Sequence, residues 1–166
     1  MRETSHDAVD AVVEQWRRER PDLDPSAKEV TGRVVRLASL FQAAYLEAFA
    51  PVGLKQGDYG VLVALRRAGE PYRLTPTVLA RGRMMTSGGM TPVIDRLERR
   101  GLVSRAPNPD DRRGSLVELT DAGREAVDEA MALHADAEQR LVAGLDDAER
   151  TELAALLRKL LLTVER

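Results

Sequence analysis

The stretch LTPTVLAR at 74–81, TSGGMTPVIDRLERRG at 86–101 and LVSRAPNPDDRRGSLVELT at 102–120 decides the fold of this 166-residue chain. Thr75–Pro76 has the form of a helix N-cap followed by proline at the first helical position, where its missing N–H costs nothing. The second segment has the spacing of an amphipathic helix running from Ser87 to Arg100, with Met90, Ile94 and Leu97 inward. Strand signals follow at Leu102–Arg105 and Ser115–Leu119. Between them, Pro107-Asn108-Pro109-Asp110 reads only as a turn or loop. A short helix, a second helix and a hairpin with arginines at its tip are the parts of a winged helix-turn-helix that reads duplex DNA.

Outside that stretch helical periodicity dominates. Val9, Val12, Val13 and Trp16 fall on one helical face, and Pro21 ends that helix. A second helix follows Pro25–Ser26, carries Val30, Val34, Leu37, Phe41, Ala44 and Tyr45 on one face, and stops before Pro51. A third begins near Gly57 with Val61, Leu62 and Leu65, and Gly69 closes it. Beyond the hairpin a long helix covers 121–143, with Val127, Met131, Ala137 and Leu141 spaced for packing. Asp146 and Glu149 form a capping box that opens a last helix lined by Leu153, Leu156, Leu157, Leu160 and Leu161. The expected architecture is mainly α with a small β-hairpin wing, in a single integrated domain. N-terminal helices, an extra helix plus a dimerisation helix, occupy 1–50, the DNA-binding module 51–120 and C-terminal dimerisation helices 121–166. The apolar faces of the terminal helices either complete a monomeric core or leave leucines for a second copy to bury, a symmetric homodimer being the commonest solution to such a surplus.

Composition removes several classes. The chain has no cysteine, so disulfides and zinc-thiolate sites are excluded. Its start is polar and acidic, and no apolar run approaches the roughly 20 residues that span a bilayer, so a soluble, cytoplasmic protein without a membrane partner is expected. Net charge is −2, but residues 81–113 hold eight arginines against four acids, and the remainder of the chain is −6. Phosphate affinity depends on the local field, so a basic segment in an acidic protein is compatible with DNA binding. Only two histidines exist, His6 and His134, and neither has a nucleophile or metal-ligand partner at useful spacing. Dinucleotide, P-loop and H-E-x-x-H motifs are absent. Neither an enzyme nor a resident cofactor or metal is expected.

A helix in the major groove presents its N-terminal residues to base edges and its flanks to phosphates. That assigns Thr86, Ser87, Gly88, Thr91, Pro92 and Arg96 to the DNA side. Gly88 and Gly89 permit close backbone approach while lowering helix propensity by about 1 kcal/mol each. Pro92 cannot donate a hydrogen bond, although its ring can meet a thymine methyl, and it is expected to shift the helix start to Thr91 as N-cap. In the hairpin, Arg113 and Arg112 are candidates for the minor groove, with Asp111 holding the guanidinium by a charge-assisted hydrogen bond. Arg105, on the first strand, completes the set.

The TSGGMTPVIDRLERRG run and the D-x-R, five residues, L-T pattern formed by Asp111, Arg113, Leu119 and Thr120 resemble the MarR (multiple-antibiotic-resistance regulator) family. The resemblance implies a dimeric, ligand-responsive repressor on a pseudo-palindromic operator. Family members usually carry a basic or amide residue where this chain has Pro92, which bears on the operator sequence and not on the fold. The chain also resembles the branch with an extra N-terminal helix, members of which respond to urate or related anions. The matching residues are QWRRERPDLD at 15–24, Asp58, and PYRLTP at 71–76. In that branch a tryptophan of the first helix and an aspartate of the third act in ligand response, which assigns Trp16 and Asp58. The arginine expected near the start of the recognition helix is replaced by Pro92 and Val93, leaving Arg66, Arg81 or Arg83 as substitutes. An anionic or aromatic effector is then expected to disturb an Asp58 pairing and move the recognition helix. The competing reading is a degenerate winged helix that binds only protein. Pro92 favours that reading and Arg96, Arg112 and Arg113 oppose it; salt-sensitive duplex binding separates the two.

Overall fold

In the computed structural model, which describes residues 6–82, 87–109 and 111–165, helix α1 (Ala8–Glu19) begins at Asp7. The Asp7 carboxylate accepts from the N–H groups of Val9 and Asp10, and the Asp10 carboxylate accepts from the Asp7 N–H at 2.9 Å. Three N–H groups at the start of the helix are thereby satisfied, those of Asp7 and Asp10 reciprocally. Asp24 receives the Ser26 N–H where α2 (Ser26–Phe49) starts. The chain forms two compact units, residues 1–44 and 45–166.

Within the first unit, α1 lies against the opening turns of α2. Val9 and Val13 are buried there, and Gly32 leaves the space that Val9 fills: an added Cβ would sit 2.9 Å from the Val9 Cγ1. Arg33 reaches back from α2 to Asp7 at 2.8 Å and Asp10 at 2.6 Å, and Arg17 pairs with Glu29. Val12 and Trp16, placed on the same face by spacing, stay exposed instead. The Asp7 N–H, and after it the Arg33 guanidinium, hold the Asp10 carboxyl below its ordinary value. A depressed folded value means that its contribution is present above the unfolded value and lost as pH falls through the folded one. Acidification below about pH 4 is therefore expected to loosen α1 from α2. Emission of Trp16, the only tryptophan in the chain, reports it. Arg33→Ala is expected to move that transition to higher pH, and an unchanged midpoint would remove Arg33 from the account.

The second unit holds α3 (Gln56–Arg67), β1 (Arg73–Leu74), α4 (Pro76–Gly82), α5 (Ser87–Arg99), β2 (Val103–Asn108), β3 (Asp111–Leu119), α6 (Asp121–Leu141) and α7 (Asp147–Val164). Thr75 caps α4 through the Val78 N–H at 3.2 Å, with Pro76 at the first helical position. Gly69, at φ +75°, ends α3 in the left-handed conformation. One core joins these parts. It contains Val61, Leu62 and Leu65 of α3, Leu79 of α4, Met90, Ile94 and Leu97 of α5, Val103 and Val117 of the sheet, and Val127 and Ala130 of α6. At roughly 1.5–3 kcal/mol for each large apolar side chain buried, this cluster dominates the stability of the unit.

The sheet is antiparallel, ordered β1-β3-β2. It differs from the expected hairpin in two ways. A two-residue strand, Arg73–Leu74, pairs with Glu118 and Val117; it is too short to leave a pattern in sequence. The supposed loop at Pro107 and Asn108 belongs to β2, which runs to Asn108 with a register shift between those two residues. Proline is tolerated there because β2 is an edge strand, paired on one side only, and the register shift beside it absorbs the irregularity.

Thr120 ties the sheet to α6. Its hydroxyl accepts the Gly123 N–H at 2.9 Å and donates to the Gly101 carbonyl at 2.7 Å, and its N–H donates to the Leu102 carbonyl. Farther along α6, His134 stacks on Tyr45 and Tyr59 with centroids 4.4 and 5.0 Å apart and faces Phe49, which makes it a packing residue. Val127 and Ala137 are buried as their spacing predicts, whereas Met131 is exposed. Asp146 and Glu149 complete the predicted capping box of α7. No residue of α7 is buried, and Leu153, Leu156, Leu157, Leu160, Leu161 and Leu162 all face outward. No helix among the described residues is long and apolar enough to cross a membrane.

Candidate nucleic-acid interface

Helix α5 has two unlike sides. Met90, Val93, Ile94 and Leu97 are buried, while Thr91 and Pro92 are exposed. The helix begins at Ser87, so Pro92 lies in its interior and is not its first residue as expected. An interior proline removes one i→i−4 bond and crowds the carbonyl four residues back. Here that residue is Gly88, next to Gly89, so the backbone beneath the ring carries no side chain to add to the crowding. Thr86 lies outside the described residues, as do the side chains of Ser87, Arg112 and Arg113.

Arginine supplies the largest departure from the sequence reading. Arg96, expected to face DNA, turns to Asp58 at the start of α3. Its Nε and Nη2 donate to Asp58 Oδ1 at 2.9 and 2.5 Å. Asp58 is only 1% exposed and Arg96 30%. The second Asp58 oxygen accepts the Lys55 N–H at 3.1 Å, so one carboxylate caps α3 and anchors α5. A buried carboxylate without a cation is costly, which is why tertiary structure claims this arginine. Arg100, one turn on, donates to the carbonyls of Gly53 and Val52 in the loop between α2 and α3. Arg105 of β2 pairs with both Asp95 and Glu98 of α5. The Asp95 hydrogen bond, with Glu98 adding to it, pushes its guanidinium pKa up.

Among the described side chains, Arg96, Arg100 and Arg105 of the basic 81–113 segment are thus engaged inside the fold. Arg81 and Arg99 are exposed, Arg99 with its Nε donating to the Asp95 carbonyl. Asp111 lies over Gly114, where an added Cβ would come within 2.9 Å of its Oδ2. Sequence reasoning missed Arg100, Asp95 and Glu98. The i, i+3 spacing of the two acids and the i, i+4 spacing of Arg96 and Arg100 were available as signals that each pair shares a face.

Of the expected effector residues, Asp58 occupies the junction just described. Arg66 is held by Asp128 at 2.8 and 3.4 Å and lies 5.1 Å from the Tyr72 ring. Trp16, in the first unit, has the Lys28 ammonium 5.5 Å from its ring centroid and is 41% exposed.

The profile of the MarR family matches residues 52–114. The transcriptional regulator PecS of Dickeya dadantii is 34% identical over 149 residues, covering 90% of either chain. Among solved structures, a variant of the MarR protein of E. coli complexed with operator DNA is similar at a TM-score of 0.74 and 28% identity, over 84% of this chain and 98% of that one. Bordetella bronchiseptica BpsR, whose DNA binding is regulated by 6-hydroxynicotinic acid, is similar at 0.69 and 29%, over 80% of this chain and 98% of that one.

Proposed function

The chain belongs to the MarR family of transcriptional regulators, and on that premise we propose that it is a homodimeric, ligand-responsive repressor working in the cytoplasm on a pseudo-palindromic operator. It is a DNA-binding regulator and not an enzyme. The observation that carries the reading is α5, apolar on its buried side and exposed at Thr91 and Pro92, leading through Gly101 directly into the β2–β3 hairpin. Each protomer sets α5 in a major groove and the hairpin in the adjacent minor groove, with half-sites roughly 10 bp apart. The similarity to the E. coli protein bound to operator DNA supports that geometry. The uncovered leucines of α7 support the dimer.

For ligand response, the Asp58–Arg96 pair is the element to disturb. It links the start of α3 to the middle of α5, so an anion that competes for the Arg96 guanidinium releases the helix from its anchor. An anionic aromatic such as urate, of the same chemical class as the ligand of BpsR, suits a guanidinium. Arg66, paired with Asp128, is a second guanidinium for which such an anion competes.

The test is fluorescence anisotropy on a duplex selected from a randomised library, with urate as the probe ligand. Wild type is expected to bind with steep salt dependence and Arg113→Ala about tenfold more weakly across sequences. Asp58→Asn, in which the anchor is already weakened, is expected to keep measurable though weaker DNA binding and to show a blunted release by urate. No salt-sensitive duplex binding would sink the regulator; full release from Asp58→Asn would sink the gating role alone.

A further inference from the structure

We propose that Arg105 is a positioning residue that sets the β2–β3 hairpin against α5, and that Asp95 and Glu98 exist on the recognition helix to hold it there. The inference rests on the reading of α5 as the base-reading helix and of the hairpin as the wing.

Two carboxylates on a helix that approaches a polyanion are unfavourable by general electrostatics, since each repels phosphate and offsets a released counterion. Their presence calls for a compensating role, and the geometry supplies one. Asp95 and Glu98 are three residues apart on α5, hence on one face. The Arg105 guanidinium divides its donors between them, Nη2 to Asp95 and Nη1 to Glu98. The backbone of Arg105 is itself fixed, because it pairs in β2 with Val117 of β3, a fully buried core residue. The far end of the recognition helix and the base of the wing are thereby joined by a planar fork with two anchors, a geometry that lysine does not reproduce. Arg100, hydrogen-bonded to the Gly53 and Val52 carbonyls, fixes the end of the same helix on the opposite side. A major-groove helix and a minor-groove wing must enter their grooves together, so the spacing between them sets how much of the DNA contact is made at once.

The experiment is anisotropy on the selected duplex over a range of salt concentrations, with melting temperature as the fold control. Exposed ion pairs contribute little to stability, so the variants are expected to melt close to wild type. The double variant Asp95→Asn, Glu98→Gln is expected to bind about tenfold more weakly, although it removes two negative charges from the DNA side. Arg105→Ala is expected to weaken binding to the same extent, with the same salt slope as the double variant and no further loss when combined with it. Arg113→Ala is expected to have less effect in the neutralised background than in wild type, because a displaced wing has already lost that contact. The proposal is overturned if neutralising the acids tightens binding, or if Arg105→Ala loses as much affinity in the neutralised background as in wild type, the signature of a direct phosphate contact that does not depend on the acids. Failure of wild type itself to bind any selected duplex would instead overturn the helix-and-wing reading beneath it.

Discussion

Replacing Gly123 by alanine is expected to lower the melting temperature by about 6–12 °C, corresponding to about 3 kcal/mol at 2–4 °C per kcal/mol for a chain of this size. Helix propensity alone predicts the opposite sign, since glycine to alanine inside a helix gains about 1 kcal/mol. Contact geometry decides the matter. A Cβ at 123 would lie 1.9 Å from the Leu102 carbonyl oxygen and 2.9 Å from its carbon, and that carbonyl is backbone that already accepts the Thr120 N–H. Neither side can give way cheaply. The start of α6 must lift from the base of the wing, and the Thr120 cap is strained with it. Thermal unfolding followed by circular dichroism checks this; an unchanged or raised melting point would show that the junction yields freely.

Arg96→Met is expected to cost about 3–5 kcal/mol, because it leaves a buried carboxylate with one N–H in place of three donors. Asp58 is 1% exposed in the intact protein, so its carboxylate depends on protein donors. The double variant Asp58→Asn, Arg96→Met is expected to recover more than half of the loss, since the amide oxygen can still receive the Lys55 N–H without carrying charge. Urea midpoints of the two single variants and the double variant measure the coupling. Additive losses would mean that the two groups do not depend on each other. The same cycle separates anchorage from DNA contact, because a direct phosphate contact by Arg96 would leave protein stability unmoved.

Helix boundaries were legible because their chemistry is local. Thr75–Pro76, Asp146 with Glu149, and Gly69 act on backbone within four residues of themselves, and each does in the structure what its residue type dictates. The inward face of α5 was legible for the same reason, as Met90, Ile94 and Leu97 repeat with the helical period. Arginine fate was not. Arg96 and Arg105 read in sequence as cations beside a DNA face, and only packing reveals that Asp58, 38 residues away, and the Asp95–Glu98 pair claim them. The strand at Pro107 escaped because proline excludes a central strand, and nothing in sequence distinguishes the edge. Gly123 gave no signal at all, since its reason is a carbonyl 21 positions earlier.

Helix α7 has eighteen residues and covers none of its leucines within the chain. A lone helix of that length is marginal in water. In the proposed homodimer its order and its association with the partner therefore share one equilibrium, and dilution acts on this end of the molecule as a denaturant does elsewhere. Under that proposal the abundance of the regulator sets two quantities together: how many operators are occupied, and what fraction of the chains is assembled well enough to occupy them.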